Sequence, residues 1–224
     1  SADAAHKAGL IVLMDNTWAS PLYCKPFELG VDVSIQAGTK YIVGHSDVMI
    51  GAVTTTKEHW LQLQNNSYVS GQTTGPDDIY LAQRGMKTLS VRLKQHMESA
   101  LKIAEWLKGR PEVHTVLHPA LPDHPGHDIW KRDFRGASGL FSLQLKEASD
   151  AGLAAFIENL ELFGMGFSWG GYESLAIIAD PSHYRTATKW DNSHPLIRLH
   201  IGLEDSDDLI ADLAAGFDRL NAIK

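Results

Sequence analysis

The sequence predicts an α/β protein in two parts: a strand-and-helix layer first, then a smaller α+β unit joined through one long helix. Three observations carry this. "LIVLMD", residues 10–15, is a continuous apolar run ending in an acid, the pattern of a strand covered on both faces. "VMIGAVTTT", residues 48–56, is rich in β-branched residues and reads as another strand. Leu89, Leu93, Met97, Ala100, Ala104 and Leu107 recur at steps of three and four, marking one face of a long helix that Gly109 and Pro111 close.

The remaining elements follow in order. "SADAAHKAG" reads as the end of a helix, alanine-rich with a basic last turn and a stopping glycine. A helix end running straight into a strand leads us to expect a chain that begins inside an α/β domain. "PFELG" is a short helical turn and "VDVSIQAG" a strand. Beyond the long helix, "VHTVLHP", "GLFSLQL" and "LIRLHIGL" read as strands and "SDAGLAAFIENLELF" as a helix. The last helix, "DSDDLIADLAAGFDRLNAI", carries acids in its first turn, where they suit the helix dipole.

Composition narrows the function. A formal charge of −7 argues against a general affinity for nucleic acid or anionic membrane, and no apolar run approaches the length of a bilayer span. The single cysteine, Cys24, rules out an internal disulfide framework, reads as a packing residue, and points to a reducing cytoplasm. His45 with Asp47, and the histidines of "HPALPDHPGH", lack ligand spacing for a metal, and the second stretch reads as a proline-rich surface loop.

Asp15 and Lys40 stand 25 positions apart (40 − 15), each at the end of a strand-like run. A strand–helix–strand passage of that length can bring both ends to one rim of a sheet. Two readings are open there. One is a salt bridge. The other is a pyridoxal phosphate site, with the lysine linked to the cofactor's aldehyde, the aspartate keeping the pyridine nitrogen protonated, and Thr39 offering a hydroxyl to the phosphate.

"MDNTWASP" followed by "SIQAGTKYIVGHSD" closely resembles the pyridoxal-phosphate enzymes of cysteine and methionine metabolism, the cystathionine lyases and synthases. "RGMKTLSVRLKQHMESA" resembles their connecting helix, and "SWGGYESL" and "LIRLHIGLED" their C-terminal domain. The resemblance implies an aminotransferase-like fold of type I: a large domain with a mostly parallel sheet, of which residues 1–86 would be the C-terminal part. Residues 87–224 would be the smaller α+β domain with its linking helix.

It also implies roles. Lys40 becomes the Schiff-base lysine and general base, Asp15 the partner of the pyridine nitrogen, and Thr17 a residue packing against the cofactor ring. Arg198 matches the arginine that binds the substrate α-carboxylate, and a planar guanidinium suits that task with two parallel hydrogen bonds. An arginine between Ile197 and Leu199 needs an anion or a neighbouring acid if buried, and a structural partner is the alternative. Ser168 helps place the carboxylate. Trp169 and Tyr172 in "FSWGGYES" side with enzymes acting at the β-carbon, where those acting at the γ-carbon usually carry leucine and a smaller residue. Ala37 departs from the pattern, since many relatives have serine there for the phosphate.

The implied reaction is α,β-elimination of L-cystathionine to homocysteine, pyruvate and ammonia, with γ-lyase, γ-synthase or broader cysteine-conjugate lyase as alternatives. The implied cofactor is pyridoxal 5'-phosphate and the implied assembly a homotetramer built from dimers. The chain resembles the last three-fifths of such an enzyme. The expected partners are therefore an amino-acid substrate and an N-terminal segment or chain carrying the phosphate-cupping amides and the ring-stacking tyrosine. A fragment that associates but performs no chemistry is the reading from another class.

Overall fold

Helix α1 (Ala2–Lys7) leads into strand β1 (Leu13–Asp15), followed by the short helix α2 (Ser20–Tyr23) and a 3-10 turn over Pro26–Leu29. Strands β2 (Val33–Ala37) and β3 (Gly51–Thr55) complete a three-stranded sheet in the order β1-β2-β3. β1 and β2 run parallel, with Leu13 opposite Val33 and Asp15 opposite Ile35, whereas β2 and β3 are antiparallel. The orientation is therefore mixed within this sheet. Three helices follow: α3 (Lys57–Val69), α4 (Pro76–Met86) and the 20-residue α5 (Leu89–Lys108).

This computed structural model describes residues 1–223. The chain divides into two compact units, residues 1–93 with 128–137, and residues 94–127 with 138 onward.

Two points in the first unit go beyond the sequence reading. Within this span the strand of the run 10–15 is β1, which pairs with β2 among the described residues, and Leu10, Ile11 and Leu13 are more than half exposed there. Helix α3 was not expected, because it buries no residue and carries no apolar stripe for a periodicity argument to find.

The second unit holds strands β4 (Val113–Leu117), β5 (Leu140–Leu145), β6 (Phe163–Met165), β7 (Ser174–Ala179) and β8 (Leu196–His200). Their order is β4-β5-β8-β7-β6, with only the β6–β7 pair parallel. Helix α6 (His127–Asp133) precedes β5 in sequence, α7 (Asp150–Ile157) follows it, and α8 (Ser206–Ala222) closes the chain. Ser149 caps α7 through the Gly152 N–H, and Asp205 caps α8 through that of Asp207, so each start is specified locally.

One core fills this unit. Ile103 and Leu107 of α5, Leu143 of β5, Phe156 of α7, Ile197 and Leu199 of β8, and Phe217 of α8 are essentially fully buried in it. Each such side chain contributes about 1.5–3 kcal/mol of transfer free energy. β8 is the central strand, bonded on both edges, so residues on it are held as firmly as the fold allows. The stretch expected as a surface loop, residues 118–127, is partly inside: His118 is fully buried, and its Nδ1 accepts the Ala120 N–H at 3.1 Å.

Candidate functional site

The rim after β1 and β2 is built by buried polar groups. Parallel pairing brings the C-terminal ends of both strands to the same edge, placing Asp15 beside the segment that continues into Thr39 and Lys40. Thr17 ties the two ends together. Its hydroxyl donates to Asp15 Oδ1 at 2.5 Å and accepts the Ala37 N–H at 2.9 Å, while its own N–H also donates to Asp15 Oδ1 at 2.9 Å. Asp15 remains exposed, and its Oδ2 accepts no hydrogen bond among the described residues. Buried Asn16 anchors the next turn, donating to the carbonyls of Ser20 and Cys24 and accepting from Gln36 Nε2.

Lys40 lies in a single helical turn, bounded by Val43 N–H to Gly38 O and Gly44 N–H to Lys40 O. Thr39 fixes that turn to the strand beyond: its hydroxyl accepts the Ile50 N–H at 2.8 Å and donates to Ile50 O at 3.2 Å. The hydroxyl expected at a phosphate is thus already engaged with backbone.

The end of the Lys40 turn is held by Arg92, only 6% exposed. Its Nη1 donates to Tyr41 O and its Nη2 to Gly85 O, each at 2.8 Å. Nη2 also reaches Ile42 O at 3.3 Å, and Nε donates to Thr88 Oγ1 at 3.0 Å. Among the described residues no carboxylate accompanies it, and burial pulls its pKa below the ordinary arginine value. Gly44 is required here: its φ is +71°, and a Cβ would sit 1.9 Å from Arg92 Nη1.

In the second unit, half-buried Arg198 on β8 meets no acid. Its Nη2 donates to Phe167 O at 2.7 Å and Gly166 O at 3.3 Å, and desolvation lowers its pKa. The structure thereby places it against the segment that carries Ser168 and Trp169. Tyr172, on the same segment, is exposed.

The donor set at the first rim fits a pyridine cofactor. A carboxylate with one oxygen locked by Thr17 and the other open can pair with a ring nitrogen, and an amine-bearing turn shares the rim. Sequence reasoning missed Asn16, Gln36, Arg92, His200 and Glu204. A polar residue inside an otherwise apolar stripe, such as Arg92 between Leu89 and Leu93, was the available signal.

Residues 1–218 match the family described as Cys/Met metabolism PLP-dependent enzyme. The cystathionine beta-lyase MetC of Escherichia coli (strain K12) is 53% identical over 214 residues, which cover 94% of this chain and 54% of that protein. The cystathionine beta-lyase of Salmonella typhimurium is 51% identical over 214 residues, with the same coverage. Among solved structures, the cystathionine gamma synthase of Xanthomonas oryzae pv. oryzae superimposes with a TM-score of 0.89 at 38% identity, over 99% of this chain and 59% of that one. The chain spans about half the length of the curated relatives it matches. With the fold of that synthase and a match running from residue 1 to 218, the chain belongs to the family of pyridoxal-phosphate-dependent enzymes of cysteine and methionine metabolism.

Proposed function

We propose that the enzyme carrying this chain is a pyridoxal-phosphate-dependent carbon–sulfur lyase that splits L-cystathionine into homocysteine, pyruvate and ammonia. The observation that carries this is 53% identity with a cystathionine beta-lyase, across a span that includes Asp15, Lys40 and Arg198. In this reading the enzyme works in the cytoplasm as a homotetramer built from dimers.

Pyridoxal phosphate, when bound, supplies a conjugated ring that accepts the electron pair released at the substrate α-carbon. Lys40 anchors the cofactor and then takes the α-proton on its Nζ. Asp15 keeps the pyridine nitrogen protonated, and Thr17, by locking one carboxylate oxygen, sets the direction in which the other points. Thr39 holds the Lys40 turn against β3 through Ile50. Arg198 holds the substrate α-carboxylate with guanidinium donors other than Nη2, which is given to the Gly166 and Phe167 carbonyls. Ser168 steadies that carboxylate, and Trp169 borders the distal arm. The bond between the β-carbon and sulfur breaks, sulfur leaves with the electron pair as the homocysteine thiolate, and the three-carbon fragment left behind takes up one water to give pyruvate and ammonia.

Product analysis with L-cystathionine tests this. Homocysteine and pyruvate in equal amounts are expected, with Lys40→Ala losing several powers of ten. Cysteine with 2-oxobutyrate would instead assign cleavage at the γ-carbon.

A further inference from the structure

β8 presents Arg198 and His200 on one face, two residues apart, while Ile197, Leu199 and Ile201 point into the core. That face grips the segment 166–174 at successive points. Arg198 holds the carbonyls of Gly166 and Phe167. His200 Nε2 accepts the Gly170 N–H at 3.0 Å, with both residues buried. Beyond the strand, the Leu203 N–H donates to Tyr172 O at 2.8 Å. Glu204 accepts the Ser174 N–H at 2.7 Å and its hydroxyl at 2.8 Å. Ser168 and Trp169 lie between the Arg198 contact and the His200 contact.

The middle contact matters most, because the chain there has least preference of its own. Gly170 has a φ of +85° and precedes a second glycine, so nothing local selects that conformation. Nε2 lies 3.0 Å from the Gly170 nitrogen and 3.2 Å from the Gly171 carbonyl oxygen; the shorter contact is made by the tautomer in which Nε2 accepts and the ring proton of a neutral imidazole sits on Nδ1, and the longer one by the other tautomer. His200 itself is fixed by burial and by its place on the central strand, 5.3 Å from the His96 ring.

We propose that His200 is a positioning residue: by accepting the Gly170 N–H it fixes the direction of Ser168 and Trp169, and through them the binding of the amino-acid substrate. The second half of this statement rests on the lyase reading above; the hold on the loop does not.

The test uses the full-length enzyme with His200→Gln, which offers an amide oxygen as acceptor, and His200→Leu, which offers none. Hydrogen exchange over residues 166–174, without substrate, is expected to quicken about tenfold in the leucine variant and little in the glutamine one. KM for L-cystathionine should rise about tenfold in the leucine variant, with a smaller fall in kcat, and be largely restored by glutamine. If the leucine variant does not fold, His200→Met takes its place. Unchanged exchange in the acceptor-free variant, or equal defects in both variants, would overturn the proposal. A wild type that leaves cystathionine intact refutes the lyase reading, and exchange then decides the hold on the loop alone.

Discussion

Arg92→Leu tests how the Lys40 turn is held. The substitution removes the donors to Tyr41 O and Gly85 O, both 2.8 Å bonds inside the protein, and the longer one to Ile42 O. A buried carbonyl left without its partner costs about 1–3 kcal/mol, and bonds from a charged donor lie toward the upper end. Against this, leucine no longer requires a guanidinium to be stripped of water, a burden visible in the lowered pKa of Arg92. The two strong bonds set the balance at a loss of about 3–5 kcal/mol. With a urea m-value of about 2–3 kcal/mol/M, the midpoint should fall by roughly 1–2.5 M at unchanged slope. Arg92→Lys keeps the charge but loses the fork, and should cost about half as much. Gly44→Ala attacks the same contact from the other side, since its Cβ would overlap Arg92 Nη1. Combining Gly44→Ala with Arg92→Leu should therefore cost clearly less than the sum of the two. A loss below about 1 kcal/mol for Arg92→Leu, or full additivity with Gly44→Ala, refutes the reasoning.

Three further outcomes are expected. Thr17→Val keeps the shape but strips the Ala37 N–H of its acceptor and frees Asp15, so stability should drop by about 1–3 kcal/mol and kcat should fall with it; unchanged unfolding midpoints would contradict the tie between the strand ends. Arg198→Lys should lower kcat/KM for cystathionine at least about tenfold, and much less for an analogue lacking the α-carboxylate; equal losses would make the arginine structural. His118 has its pKa pushed down to about 4 by burial, with the neighbouring charge of His124 adding to it. The unfolded chain therefore takes up that proton near the ordinary value of 6.5 while the folded one resists, and stability falls by about 3 kcal/mol as pH drops from 6.5 to 4, then levels. His118→Asn keeps an acceptor for the Ala120 N–H and should flatten that slope in urea titrations across the window; an unaltered slope would assign the acid sensitivity elsewhere.

Much of this was legible in the sequence because it is local. The steps of three and four from Leu89 to Leu107 give α5, and an acid-rich first turn gives α8, since a helix repeats its face at short range. The parallel pairing of β1 with β2 was foreseeable because both are apolar runs joined by a passage long enough to cross over. Tertiary structure alone decided the rest. The run at 10–15 reads as a strand by composition, but its partner and direction are decided in the fold, where β1 pairs in parallel with β2. β6 and β7, flanking the glycine pair, are placed by their partners rather than by any pattern of their own, β7 pairing with β8 and β6 with β7. The bonds that shape the rim and the loop join residues far apart in the chain: Thr17 to Ala37, Arg92 to Tyr41, His200 to Gly170. Residue type announces that a donor or acceptor needs a partner once buried, but which partner it finds is settled only when distant segments pack together.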